Sequence, residues 1–379
     1  MPLGPMLMRK LSIDPLQFGS LVSSYNISAA IAGVVYGLFA DRFDRKKMLI
    51  LNFVGFIIGT IFCGLSTNYE SLLAARIIAG AFGGTLTSVV MAMVTDLIPF
   101  QRRGQALGTV MSSFSIASVI GVPLGLLIAE RFDWHYTFYF IALFGVFSLV
   151  LSSFIFPSLS SHIQPTNALE NLKRLFSLFF KKDYLKSYSL VFFNVFTIFT
   201  MIPYLSPYAV KNIGILETEL KYMYLVGGLF TVITARIIGK LTDKKGAFNI
   251  MAGLIILSVF PIYLYSHAKI MPLYLFIAMA TFFMTVVSGR MIPLMTMLSE
   301  IADSKDRGTF MGLLNALRGL GSALATLFAG FFIIENSNGK LEGFDTIGII
   351  SISVSLILIF GVHHVYKILL RIKSETSPT

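Results

Sequence analysis

Cysteine is almost absent: of 379 residues only Cys63 carries a thiol. A single cysteine excludes an intrachain disulfide and a cysteine-built metal cluster, so cysteine usage is silent about redox compartment. Charge is scarce too. Asp, Glu, Lys and Arg make up 13% of the chain, against 55% hydrophobic residues. Acids are the scarcer sign, 19 against 30 Lys and Arg, for a net charge of +11. None lies in the middle of an apolar run; Asp96 and Glu300 stand at run ends, and His363 and His364 near the end of the last run. There is no phosphate-binding loop, no metal-ligand spacing and no nucleophile constellation. The apolar start lacks the basic residues and small-residue cleavage site of a signal peptide. These absences argue against a membrane enzyme, a resident cofactor and a metal.

What is present is hydrophobic length. Mean hydropathy is +0.79, the range of an integral membrane protein. A hydrocarbon core of about 30 Å takes about 20 apolar residues as helix. Apolar runs fall at 18–40, 48–66, 72–96, 105–129, 135–156, 188–209, 221–241, 248–266, 272–298, 309–333 and 348–369, with a fragment at 1–8. They are too long for barrel strands, so the expected fold is an all-α membrane bundle. The excess positive charge is not a nucleic-acid face. It sits in short loops, and the loops after even-numbered spans are richer in Lys and Arg than those after odd-numbered ones, which makes the former cytoplasmic. Tyr69, Trp134, Tyr136, Tyr208, Tyr222, Tyr265 and Tyr274 then fall near outer span ends, where amphipathic rings favour the interface.

Two loops look like copies of each other. Gly37-Leu-Phe-Ala-Asp41-Arg42-Phe-Asp44-Arg45-Lys46-Lys47 follows one span, and Gly239-Lys-Leu-Thr-Asp243-Lys244-Lys245 follows another. Asp96 matches Glu300, and Gly104-x-x-x-Gly108 matches Gly308-x-x-x-Gly312, both two residues out of step with the loop pair. The expected organisation is a six-helix bundle over 1–156, a linker over 157–187 and a second six-helix bundle over 188–379, the two bundles being pseudo-symmetric. The linker segment 168–182 alternates apolar and basic residues at helical spacing. It reads as an amphipathic helix on the cytoplasmic membrane surface, acting as a tether or as a lipid-reading element.

The Gly-x-x-x-Asp-Arg-x-x-Arg-Lys pattern resembles the signature loop of the major facilitator superfamily, and the resemblance covers nearly the whole chain. It implies twelve helices with a substrate site at midplane between the halves. In that family the loop cluster latches the halves, a role that would fall on Gly37, Asp41, Arg42, Arg45, Asp96 and Asp243. Topology marking by positive charge is the simpler reading of the same residues. The second copy departs from the pattern, with Lys244 in place of Arg.

In the fourth span Arg76, Gly80 and Gly84 are spaced by four and share a helix face. The glycines admit a close neighbour, and the arginine needs a polar partner or snorkels to the interface. The run resembles the helix-four motif of proton-driven exporters, where the arginine is linked to proton transfer. Gly121-Val-Pro123-Leu-Gly125 resembles the helix-five antiporter motif, in the variant form of sugar-efflux and arabinose-efflux-like exporters. It departs from Gly-Pro-x-x-Gly-Gly by the inserted Val122 and by Leu126 in place of the second glycine; physically it predicts a kink. Arg290 and Arg318 lie deep in later spans and imply a cavity, for instance one that takes an anionic group of a substrate, or pairing with carbonyls and water. Arg236 lies above Asp243 and reads as snorkelling.

The resulting expectation is a monomeric secondary transporter in the lipid bilayer of a bacterial cytoplasmic membrane. It exports small organic solutes or drugs against inward proton flow and uses no cofactor or metal. An importer or uniporter of a small metabolite, or a non-transporting protein of the same fold, are the alternatives. One further expectation concerns the start. Met1–Met8 is about 12 Å of helix, while relatives carry a full first span, so roughly 15–20 residues of that span are expected to be missing.

Overall fold

The structure, a computed structural model, describes residues 1–39, 42–98, 102, 109–110, 113, 116–158, 168–302 and 306–376. Apolar segments of this length must pair their own backbone groups, and they close as helices. A short α1 (Gly4–Lys10) leads to α2 (Pro15–Phe39), α3 (Arg45–Leu65) and α4 (Tyr69–Leu97). A π-turn at Ala117–Gly121 opens α5 (Val122–Arg131), followed by α6 (Trp134–Ile155). The linker holds α7 (Ala168–Phe179). The second half contains α8 (Lys182–Phe199), which short turns extend to Ile213, then α9 (Leu220–Lys245) and α10 (Ala247–Ser266). It continues with α11 (Leu273–Gly289), α12 (Met291–Ser299), α13 (Arg307–Phe332) and α14 (Phe344–Thr376). Between α13 and α14, β1 (Ile334–Glu335) pairs antiparallel with β2 (Leu341–Glu342).

Ten spans among the described residues are long and apolar enough to cross a membrane, so the protein is multi-pass. The expected run at 105–129 falls partly outside the described residues. Local signals set the ends. Asp44 caps α3 by accepting from Lys47 N at 2.9 Å. Asn68 and Ser71 cap α4 reciprocally. Gly214, at φ +87°, ends the span Lys182–Ile213 in the left-handed conformation glycine allows.

The packing differs between the two ends of the spans. One end carries the basic loop Arg42–Lys47 and is called the basic face; the other is the far face. Toward the far face one apolar cluster draws on both halves, joining Leu7, Phe18 and Trp134 to Tyr204, Tyr265 and Phe276. Toward the basic face the cores are separate. Tyr36, Leu49, Val89 and Met93 cluster in the first half, and Tyr188, Leu298, Phe310 and Val362 in the second. Among the described residues the halves thus share one apolar cluster at the far end and keep separate clusters at the basic end. Glycines on the basic side agree: a Cβ built at Gly37, Gly308 or Gly312 meets nothing within 4 Å among the described residues.

The ring positions divide as well. Tyr136, Tyr222 and Tyr274 are exposed, as interfacial rings are, but Trp134, Tyr208 and Tyr265 are buried in the shared core. The interface expectation fails for those three because packing within each half covers them: Tyr208 lies against Phe344, Tyr265 against Phe276, and Trp134 against His135 and Phe138.

Candidate functional site

The face shared by Arg76, Gly80 and Gly84 is turned toward α2. Gly84 sits so close that an added Cβ would come within 2.5 Å of Ala29 Cα, and Gly80 packs as tightly against Tyr25 and Ser28. One turn on from the glycines, Arg76 Nε donates to Leu21 O at 3.2 Å, and its guanidinium lies 4.5 Å from the centre of the Tyr25 ring. Missing side chains at two positions thus bring α2 near enough for the arginine to use a helix carbonyl and a ring face as its polar partners. Tyr25 was not legible as a partner, because only the close approach of α2 and α4 makes it one.

α2 continues across to the second half. Ser23 Oγ donates to Ala323 O at 2.8 Å, and Tyr204 Oη lies 3.0 Å from both Pro15 O and Thr326 O. Two ion pairs join the halves on the same far side: Arg9 with Glu217 at 2.8 Å, and Lys221 with Glu130 at 2.9 Å. The Glu217 carboxylate, by hydrogen bond and charge, holds the Arg9 guanidinium above its ordinary pKa. Within the first half, Lys10 lies 3.3 Å and His135 Nδ1 2.5 Å from Asp133. These residues read only as loop charges in sequence, since their partners come from distant segments.

On the basic face Arg45 Nε donates to Asp96 Oδ2 at 3.1 Å, joining the start of α3 to the end of α4. Ser158 Oγ donates to Asp44 at 2.6 Å, and the Arg42 guanidinium lies 5.7 Å from the Phe39 ring centre. Asp41 lies outside the described residues, as do Gly104 and Gly108. Asp243 is exposed in the last turn of α9. The linker helix α7 touches both halves here: Asn171 Nδ2 donates to Leu38 O at 3.2 Å and Arg174 to Asp306 at 3.1 Å.

The helix-five motif is a widened turn. Its π-turn runs through Gly121 and stops beside Pro123, whose ring nitrogen cannot donate. The turn lies against the other half, with Val119 Cα 3.2 Å from a Cβ built at Gly228 of α9. Thr137 Oγ1 donates to Gly125 O at 2.9 Å and anchors the following turn to α6.

The two deep arginines part company. Arg290, at the junction of α11 and α12, is fully buried in the second half and donates to Ser258 of α10 and Ser355 of α14. Arg318 is exposed on α13, one residue short of Gly319, where Ala30 and Asn26 of α2 still touch. Among the described residues no cluster of three His, Cys, Asp or Glu side chains could hold a metal ion.

The profile of the Major Facilitator Superfamily matches residues 1–326. An uncharacterized MFS-type transporter of Bacillus subtilis (strain 168), YceJ, is 24% identical over 351 residues, covering 91% of this chain and 88% of its own. Multidrug resistance protein 2 of the same organism is 27% identical over 255 residues, 65% of this chain and 62% of its own. Among solved structures, a bacterial homologue of the human lysosomal transporter Spinster, inward-facing and occupied, superposes with TM-score 0.74 at 15% identity. That match covers 98% of this chain and 93% of the other.

Proposed function

From a chain that belongs to the Major Facilitator Superfamily, and so is a transporter of small molecules in a lipid bilayer, we propose a proton-driven exporter of small organic solutes or drugs working by alternating access. The observation that carries the reading is the divided core. One apolar cluster fuses the halves toward the far face, and each half keeps its own cluster toward the basic face. Two bodies joined this way can rock about their contact, exposing the space between them to one side at a time. The richness of the basic face in Lys and Arg assigns it to the cytoplasm. In this state the far-side ion pairs Arg9–Glu217 and Lys221–Glu130 close the outer route.

Several features support export coupled to protons. Arg76 sits on the α2-facing surface of α4 with a carbonyl and a ring as partners, so its charge is sensitive to the α2–α4 contact. The π-turn at the helix-five motif lies between the halves, where a rocking motion is accommodated. A relative at 27% identity carries a multidrug name. The loop cluster of Gly37, Asp41, Arg42, Arg45 and Asp96, with Asp243 in the second copy, serves as the cytoplasmic gate. Arg318, exposed where α13 leaves α2, is the candidate contact for an anionic part of a solute. Arg290 would join it only by giving up Ser258 and Ser355. The working unit is a monomer in a bacterial cytoplasmic membrane.

The test is solute uptake into inside-out vesicles energised by a proton gradient. Accumulation that collapses with a protonophore supports the reading; equilibration unaffected by the gradient replaces it with uniport.

A further inference from the structure

The linker helix α7 has one broad apolar side, and the protein covers only part of it. Leu178 is buried, Leu175 and Phe179 pack on the second-half core, and Phe179 stacks on Tyr188 at 5.7 Å. On the uncovered part Phe176 is 52% exposed and Phe180, in the turn just after the helix, 64%, with their rings stacked 6.5 Å apart. Both lie outside the ten spans, so the hydrocarbon core that covers exposed Phe elsewhere does not account for them.

Their surroundings are basic. Lys173 on α7 and Lys182 and Lys186 in the first turns of α8 are exposed, and no ion pair engages them among the described residues. Asp183, between them in sequence, is taken by Arg371. The exposed strip of α8 runs from Lys182 through Lys186 and Ser189 to Phe193, at the spacing of one helix face. Phe193 lies well inside a membrane span, so that strip faces lipid and carries Lys182 and Lys186 at headgroup depth. The phenylalanine pair and the lysines thus form one surface continuous with the lipid-facing side of the span.

We propose that this surface binds anionic phospholipid headgroups of the leaflet on the basic face. Lys173, Lys182 and Lys186 meet the lipid phosphates, and Phe176 and Phe180 enter the boundary between headgroups and acyl chains. Aromatic rings flanked by lysine on an interfacial helix satisfy both halves of such a lipid at once. Because α7 also bonds to Leu38 of one half and Asp306 of the other, lipid held here acts on the strap between the halves. The proposal does not depend on what the chain transports.

The experiment titrates the full chain with fluorescent phosphatidylglycerol or phosphatidylcholine in detergent micelles, at low and high salt. The wild type should prefer phosphatidylglycerol, and the preference should shrink with salt. Each lysine changed to Gln should weaken phosphatidylglycerol binding about fivefold. Lys173→Arg, Lys182→Arg and Lys186→Arg together should retain binding, which separates charge from misfolding. Phe176→Ser with Phe180→Ser should weaken binding of both lipids. Equal binding of the two lipids by the wild type overturns the proposal. So does an unchanged preference in the triple Gln variant, or a soluble acidic peptide that displaces phosphatidylglycerol at equal charge.

Discussion

Lys221 Nζ lies 2.9 Å from Glu130 Oε2, and the two residues belong to different halves of the molecule. The pair sits on the far side, where it ties α9 to the end of α5. Both side chains are partly exposed, so the pair is worth about 0–1 kcal/mol and biases the balance of states by at most about fivefold. Lys221→Glu should therefore open the far side more often. Spin labels at the exposed positions Phe132 and Ile270 report this as a longer distance component. The double reversal Lys221→Glu with Glu130→Lys should restore the short component. Unchanged distances in the single variant would remove the pair from the gate.

On the basic face the Arg45–Asp96 bond ties α3 to α4, with the Arg45 side chain nearly buried. Asp96→Asn should lower transport severalfold at normal expression, and Asp96→Glu should lower it less. Asp41→Asn is expected to cripple transport in the same way. Full activity of both Asn variants would reduce this loop to a marker of topology.

Close approach at Gly84 makes a stability prediction. Gly84→Ala forces a Cβ onto Ala29 and should cost about 1–3 kcal/mol, read as a lower melting temperature in detergent. Gly121→Ala is the control, since the nearest atom to its added Cβ is Ala117 Cβ at 3.9 Å. Equal melting of the two variants would contradict the packing described for α2 and α4.

Asp133 gives a pH prediction. Burial alone would raise its pKa, but hydrogen bonds from the His135 side chain and backbone and from Lys10 outweigh that and hold it below the ordinary value of 3.8. A carboxyl depressed by folding stabilises above its unfolded pKa and loses that contribution as pH falls through the folded value. Between about pH 5 and pH 3 the wild type should lose more thermal stability than Asp133→Asn. Parallel loss in the two proteins would show that Asp133 is not held by these partners.

How much of this was readable depended on the range of the interaction. Spans follow from runs of apolar residues, a local property, and ten of them reappear as helices. The common face of Arg76, Gly80 and Gly84 follows from a spacing of four. Partners do not follow from spacing. Leu21 and Tyr25 reach Arg76, Ser258 and Ser355 reach Arg290, and Glu130 reaches Lys221 only through tertiary packing. Trp134 and Tyr265 are buried for the same reason: a ring at a span end is interfacial only if no other helix covers it. At Gly121-Val-Pro-Leu-Gly the sequence indicates a weak point, and the wide turn taken there lies against Gly228 of the other half.

The most direct measurement uses purified protein in vesicles with a trapped pH indicator and an imposed proton gradient, challenged with a panel of organic solutes and drugs. At least one solute should dissipate the gradient in the wild type, and Arg76→Ala should abolish that coupled proton movement while still inserting normally. If solutes cross without moving protons, or if Arg76→Ala couples as well as the wild type, proton-driven export through the α2–α4 contact is contradicted.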